Sequence, residues 1–190
     1  LQHLAERDGA VVGNILHLRD EREKIRKALL DSEADLICVT GGTSVGKEDH
    51  APTLLEEVGE LLVHGIPMRP AAPSGFGLIG TRKVFLLPGN PVSCLSAYDC
   101  FVGLALRRMG GLPDPWPYHS KKLVLNSKIS SQIGRIEYVR LKILDGKAEP
   151  IASGGASILS STTYADAFLL TQESSEGFAE GEEVEAWLYD

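Results

Sequence analysis

The chain lacks both a long apolar stretch and a basic cluster. A membrane helix needs roughly 20 consecutive apolar residues, and the apolar runs here are far shorter. No block of Lys and Arg exceeds two residues and the formal net charge is −7, unlike the basic surface of nucleic-acid-binding proteins. The N-terminal residues have no signal-peptide or transit-peptide pattern. We therefore expect a globular cytoplasmic protein with neither a membrane nor a nucleic acid as its partner.

Cysteine is also scarce. Three cysteines in 190 residues are too few for a disulfide framework. Cys38 lies in an apolar stretch typical of a strand, whereas Cys94 and Cys100 fall on one predicted helix at a spacing that suits a disulfide poorly. We expect all three to be reduced thiols in the core. No histidine pairs with a cysteine at zinc-ligand spacing, so a structural zinc site is not expected either.

Helical and strand patterns alternate through the first part of the chain. Leu1 already lies inside a helical pattern, which indicates that further chain precedes it. The alternation predicts a three-layer α/β domain with a mostly parallel sheet covered on both faces. The predicted strands are 10–18, 35–40, 61–66 and 83–87, and the predicted helices are 20–33, one that begins near Pro52, and 92–109.

The pattern changes at Gly110, where prolines become frequent and the alternation of helices with strands stops. From Lys121 onward, short apolar stretches separated by Gly, Ser and Asp predict a small all-β domain with one short helix at 160–165. We therefore divide the chain into an α/β domain at 1–111 and a β domain at 118–190. The predicted strands of the second domain lie at 123–126, 136–144, 148–152, 167–171 and 183–190.

A glycine-rich segment, GGTSVGKED, follows the strand that ends at Thr40. Glycines let the backbone approach a ligand, and the next helix offers unpaired N–H groups, so the segment favours an anion. Its spacing up to Lys47 matches a P-loop, but Glu48 stands where that motif requires Ser or Thr, which excludes a P-loop NTPase. A carboxylate next to such a turn, as at Asp49, indicates Mg²⁺-assisted phosphate chemistry. An ordinary strand-to-helix turn is the alternative.

A second turn of the same kind, LPGNPVS, joins the strand that ends at Leu87 to a helix whose first turn contains Ser93. Loops at the carboxyl ends of neighbouring parallel strands open into one crevice. We therefore expect the two glycine-bearing turns to face a single ligand.

Together with these turns, other segments resemble the MoeA and gephyrin type of molybdenum-cofactor biosynthesis protein. GGTSVGKED is similar to that family's GGxSxGxxD signature, MRPAAPSGFG to its KPGKPxxFG turn, and LPGNPVS to its LPGNPVS. GRIEYVR is similar to the family's GRxxFxR strand, and SILSSTTYADAFLL to its LSSxxxADG segment. The resemblance covers nearly the whole chain and corresponds to the C-terminal half of the family's proteins.

This resemblance implies a molybdopterin-binding α/β domain that lacks its first strand, followed by the family's C-terminal β domain. It implies a Mg²⁺-dependent reaction in which adenylylated molybdopterin and molybdate enter and AMP and molybdenum cofactor leave. It also implies a homodimer in the full-length form.

The resemblance further implies roles for particular residues. Asp49 and Asp20 correspond to catalytic carboxylates, and Asp49 to the Mg²⁺ ligand. A solvated charge is the plainer interpretation of Arg140, and a helix cap that of Ser161. The implied substrate-binding residues are Gly41, Gly42, Thr43, Ser44, Gly46, Pro88, Gly89, Asn90, Pro91 and Ser93, and the implied molybdate-binding residues are Arg69, Ser93, Arg140 and Ser161.

One segment departs from the family's pattern. Arg69 and Ala72 stand where the KPGKP turn has its two lysines. Loss of a cation near a dianion costs on the order of 1–3 kcal/mol of binding energy. The alternatives to a molybdenumtransferase are therefore a non-catalytic carrier of the pterin or the cofactor, a molybdopterin adenylyltransferase, and a structural interaction protein.

Overall fold

A computed structural model of the chain describes residues 1–44, 46, 49–113, 116–151 and 160–189. The chain forms two compact units. The first contains Leu1–Ile66 and Ala71–Trp116, and the second contains Pro67–Pro70 and Pro117–Asp190. Lys47 and Glu48, on which the P-loop argument depended, lie outside the described residues.

The first unit contains a four-stranded sheet and several helices. Tyr98–Val102 forms a π-helical turn between two α-helices, so the helix predicted over 92–109 is present with one irregular turn. The elements in chain order are α1 (Gln2–Arg7), α2 (Arg22–Asp31), β1 (Leu36–Thr40), α3 (His50–Val58), β2 (Glu60–His64), β3 (Met68–Arg69, in the second unit), β4 (Gly75–Ile79), β5 (Arg82–Leu87), α4 (Pro91–Ala97) and α5 (Gly103–Met109).

The sheet of the first unit has the strand order β1-β5-β4-β2 and is mixed. β1 and β5 are parallel, whereas β4 pairs antiparallel with both β5 and β2. The α/β class is confirmed, but the expectation of a mostly parallel sheet is wrong. The reason is a missed hairpin: Ile79 pairs with Arg82 across Gly80 and Thr81, and a two-residue connection of this kind joins only antiparallel strands.

Helices cover the sheet on both faces, which gives the three layers. Val84 and Leu86 of β5 are fully buried and belong to a core cluster with Leu54 and Leu55 of α3 and Leu29 of α2. Because side chains alternate along a strand, the neighbouring buried residues of β5 point to the opposite face, and α4 packs against β5.

A buried carboxylate ties α1 to the helices after β5. Asp8 has no exposed surface. It accepts hydrogen bonds from the hydroxyl of Tyr98 and from Nη2 of Arg7, both at 2.9 Å. A buried carboxylate needs such partners because desolvation of its charge is costly.

Two expectations about this unit are wrong. Residues 10–18 form no strand: the segment is irregular and largely exposed, and Val11 is 99% accessible. No strand in the described part of the chain pairs with it, so its apolar residues remain outside the sheet. Cys38 is also exposed, whereas Cys94 is half-buried and Cys100 is buried; only the last is a core thiol.

The second unit is a β structure, as the sequence predicts. Its main sheet has the order β10-β12-β6-β9-β8-β3, and β10 also pairs with β8, which closes five strands into a ring. The short helix predicted over 160–165 is present. The elements are β6 (Ser120–Leu125), β7 (Ile129–Ser130), β8 (Ile136–Leu144), β9 (Lys147–Pro150), α6 (Ser160–Thr163), β10 (Ala167–Leu170), β11 (Gly177–Phe178) and β12 (Glu183–Leu188).

Alternation along β8 separates two environments in this unit. Val139 and Leu141 pack with the apolar core, which also contains Leu169 and Val184. Tyr138, Arg140 and Lys142 therefore point to the opposite face. No helix among the described residues of either unit is long and apolar enough to span a membrane.

Candidate functional site

The first glycine-bearing turn begins where β1 ends. Gly41 and Gly42 have φ angles of 78° and 61°, in the left-handed region that favours glycine. The Gly41 amide and the Thr43 hydroxyl both donate to the carbonyl of Leu87, at 3.2 and 2.9 Å. The turn after β1 is thus anchored on the last residue of β5.

The second glycine-bearing turn begins at Pro88, directly after that residue. Asn90 is the N-cap residue of α4, and Ser93 in its first turn is buried. Gly89 lies against the first turn: a Cβ atom added to Gly89 would be 3.3 Å from Cα of Gly41. The two turns therefore lie side by side, as the parallel pairing of β1 with β5 requires.

Two carboxylates lie next to the first turn. Oδ2 of Asp49 accepts a hydrogen bond from the amide of Gly46 at 2.8 Å. Oδ1 of Asp20 lies 3.8 Å from the position that a Cβ atom on Gly42 would occupy. Among the described residues no cluster of three or more His, Cys, Asp or Glu side chains is suited to a metal ion. A cation bound at either carboxylate would need ligands from its substrate.

An open pocket with a volume of about 220 Å³ adjoins the first turn. The imidazole of His64, at the end of β2, donates from Nε2 to the carbonyl of Thr43 at 2.8 Å, because a carbonyl only accepts. The sequence analysis did not single out His64, which is 21 residues away along the chain. The lining residues are Ser44, Gly46, Asp49, Pro52, Thr53, Glu56, Leu61 and His64.

The predicted oxyanion residues other than Ser93 belong to the second unit. Arg69 is exposed on β3, whereas Ser161 is buried on α6. Arg140 is 5% accessible, and no hydrogen-bond acceptor meets its Nε or Nη1 in the structure as described. The solvated interpretation of Arg140 is therefore wrong. A buried cation of this kind is suited to an anionic ligand, since an unpaired buried charge is costly.

The predicted site residues thus divide between the units. The first unit brings Asp20 and Asp49 together with both glycine-bearing turns. The second unit holds Arg69, Arg140 and Ser161.

Comparisons with known proteins agree with both units. Residues 1–108 match the family described as "Probable molybdopterin binding domain". Residues 122–189 match the family described as "MoeA C-terminal region (domain IV)".

Individual relatives match over most of the chain. A Methanocaldococcus jannaschii protein named as a candidate in molybdopterin biosynthesis is 34% identical over 175 residues, which are 90% of this chain and 41% of that protein. The molybdopterin molybdenumtransferase of Haemophilus influenzae is 28% identical over 177 residues, 88% of this chain and 43% of that protein. The crystal structure of the molybdopterin biosynthesis moeA protein from Pyrococcus horikoshii superposes with a TM-score of 0.76 and 31% identity over 90% of this chain.

The chain spans about two fifths of the length of these relatives. What the complete proteins do therefore depends in part on residues with no counterpart here.

Proposed function

The chain belongs to the MoeA family of molybdenum-cofactor biosynthesis proteins, and we propose that the protein containing it inserts molybdate into adenylylated molybdopterin with release of AMP. The proposed substrates are the adenylylated pterin and molybdate. We also propose that the full-length protein is a cytoplasmic homodimer.

The observation that carries this proposal is the contact between the two glycine-bearing turns. Both turns leave the carboxyl ends of parallel neighbours, and Gly41 and Gly89 approach closely because neither has a side chain. Main-chain N–H groups of adjoining turns can bind the oxygens of a phosphate without a basic side chain. This mode of binding agrees with the net charge of −7.

The carboxylates next to the first turn suit Mg²⁺. This ion is commonly bound by one or two carboxylates together with substrate phosphates and water, and Asp49 and Asp20 offer that donor set. Bound Mg²⁺ would neutralise charge on the phosphates as the bond to AMP breaks. Asp49 would hold the ion, and the amide of Gly46 orients its carboxylate. In the second unit, Arg140, Arg69 and Ser161 would contact molybdate.

The test is AMP release by the full-length protein supplied with adenylylated molybdopterin, molybdate and Mg²⁺. We expect release to require both ions and Asp49→Asn to lower it by on the order of 100-fold, because the amide is a weaker ligand for Mg²⁺. Wild-type protein that binds the pterin but releases no AMP above background would exclude the proposed reaction.

A specific observation favours a second candidate, a carrier that binds the pterin or the finished cofactor without turnover. Ala72 is exposed at the position where the resembling turn has a lysine. Ala71 has a φ of 122°, which favours the glycine of that turn. A carrier would retain the pterin in stoichiometric amount without releasing AMP, and Ala71→Gly together with Ala72→Lys would then restore molybdate-dependent release.

The adenylyltransferase alternative makes a different prediction, because that enzyme consumes ATP. ATP-dependent formation of pyrophosphate by the full-length protein would favour it. The match of residues 122–189 to the MoeA C-terminal region argues against this alternative.

A further inference from the structure

Arg140 is surrounded by aromatic side chains on the outer face of β8. Its direct partner across the ladder is Phe168 of β10. Tyr138, two residues earlier on the same face, stacks on Phe168 with a centroid distance of 4.5 Å and an interplanar angle of 8°. Tyr189, next to the end of β12, contacts Phe168 at 5.3 Å. The buried guanidinium therefore lies beside a wall of rings.

Two of these rings are joined through their hydroxyl groups. The hydroxyl oxygens of Tyr138 and Tyr189 are 2.6 Å apart, a normal distance for an O–H···O hydrogen bond. The resembling family pattern, GRxxFxR, has phenylalanine where this chain has Tyr138. The hydroxyl of Tyr138, and with it the bond between the two strands' ends, is thus a feature that this chain adds to the pattern.

The hydroxyl pair also influences the electrostatics of the cation. Burial lowers the pKa of the Arg140 guanidinium from its usual value, and Tyr189 and Tyr138 act in the opposite direction. Because the usual pKa of arginine is above 12, the guanidinium stays charged at neutral pH. Both tyrosines therefore lie close enough to stabilise the charged form.

An arginine side chain has many rotamers, and binding is stronger when the bound rotamer is already populated. The stacked ring of Tyr138 and the ring of Tyr189, held together by their hydroxyl bond, limit the positions open to the guanidinium. An oxyanion would then meet Nε and Nη1, the two atoms without an acceptor, in a preformed fork.

We propose that the hydroxyl pair of Tyr138 and Tyr189 positions the Arg140 guanidinium for the molybdate oxyanion. This role rests on the proposed function, in which Arg140 contacts molybdate. Tyr138 and Tyr189 are positioning residues, because they act through Arg140.

The test is molybdate binding and turnover by full-length Tyr138→Phe and Tyr189→Phe variants. Each substitution removes one hydroxyl and keeps the ring. We expect each to raise the Kd for molybdate, measured by equilibrium dialysis, about threefold to tenfold, the scale of one hydrogen bond. The KM for molybdate should rise in parallel, while kcat and the KM for the pterin stay unchanged. Tyr164→Phe, whose ring is 58% accessible, is the matched control and should behave as the wild type.

The outcomes separate the two proposals. Unchanged molybdate Kd values in both variants would overturn the positioning role, as would an equal loss in kcat and in both KM values together with a lower melting temperature. Molybdate binding that depends on both hydroxyls in a protein without AMP release would keep the positioning role and exclude the proposed reaction instead.

Discussion

Arg140 is a buried cation without a carboxylate partner among the described residues. Its charge therefore lowers stability when no anion is bound, because desolvation is not offset by an ion pair. We expect Arg140→Met, which keeps an unbranched stem, to increase the free energy of unfolding by about 1–3 kcal/mol in molybdate-free buffer. The same variant should no longer bind molybdate. Urea denaturation and equilibrium dialysis measure the two effects.

Arg135 offers a contrast on the same strand hairpin. Its Nε donates to Oε1 of Glu137 at 2.7 Å, and its side chain is 31% exposed. We expect Arg135→Met to change stability by less than about 1 kcal/mol and to leave molybdate binding intact. A stabilising effect of equal size in both variants would argue against a functional burial of Arg140.

The burial of Arg140 was not available from the sequence. An arginine in an alternating strand is usually solvated, and only the resemblance to GRxxFxR indicated a ligand. The ring contacts that enclose it come from Phe168 and Tyr189, which are distant along the chain. His64 was missed for the same reason.

At the scale of elements, the close approach of the two glycine-bearing turns can be tested by one methyl group. A Cβ on Gly89 would lie 3.3 Å from Cα and 3.8 Å from N of Gly41. The first distance is tight for contact with backbone. We expect Gly89→Ala to lower the free energy of unfolding by about 1 kcal/mol, the lower end for overpacking. It should also weaken binding of the adenylylated pterin, because the turns are pushed apart.

Gly13 provides the control for that substitution. It has no neighbouring atom within 4 Å of an added Cβ and no positive φ. Gly13→Ala should leave stability and pterin binding unchanged, as urea denaturation and calorimetry can show. Equal behaviour of the two variants would mean that the approach of Gly89 to Gly41 has no part in binding.

The helical run from Pro91 to Met109 carries two groups that resist ionisation. Burial raises the pKa of the Cys100 thiol above its usual range. Burial, followed by the hydrogen bond to Asp8, raises the pKa of Tyr98. Both folded-state values exceed the unfolded values of about 8.5 and about 10. Their contribution to stability is therefore fully present below those unfolded values and is lost as the pH rises above them.

We expect stability to fall above about pH 8.5, by about 1.4 kcal/mol per pH unit for each thiol or phenol that remains protonated only in the folded state. Cys100→Ala should remove its share of this slope, although loss of the side chain lowers stability by a constant amount at pH 6–8. Urea denaturation between pH 6 and 10 measures the slope. Identical slopes in the wild type and the variant would contradict the assignment.

Some elements were predictable and others were not. The two turns were predicted because glycine and proline mark them directly, and their neighbourhood follows from parallel pairing of the strands before them. The segment 10–18 misled because an apolar run indicates burial only where a partner strand exists. β4 was missed because its glycines resemble a turn, and the π-helical turn at Tyr98–Val102 has no sequence signal that we recognise.

At the scale of the whole molecule, the fold class followed from the pattern of elements: helices alternating with strands, then strands alone. The assignment of Pro67–Pro70 to the second unit did not, because a two-residue strand has too little sequence to indicate its partner. The family followed from five short segments, whose order along the chain is more specific than any one of them.

The central claim is that the two glycine-bearing turns bind one phosphorylated pterin through main-chain amides. The most direct measurement is a crystal structure of the full-length protein with adenylylated molybdopterin bound. The account predicts phosphate oxygens within about 3 Å of main-chain nitrogens in both the turn that begins at Gly41 and the turn that begins at Pro88. A pterin phosphate bound elsewhere, with both turns unchanged and without ligand contacts, would contradict it.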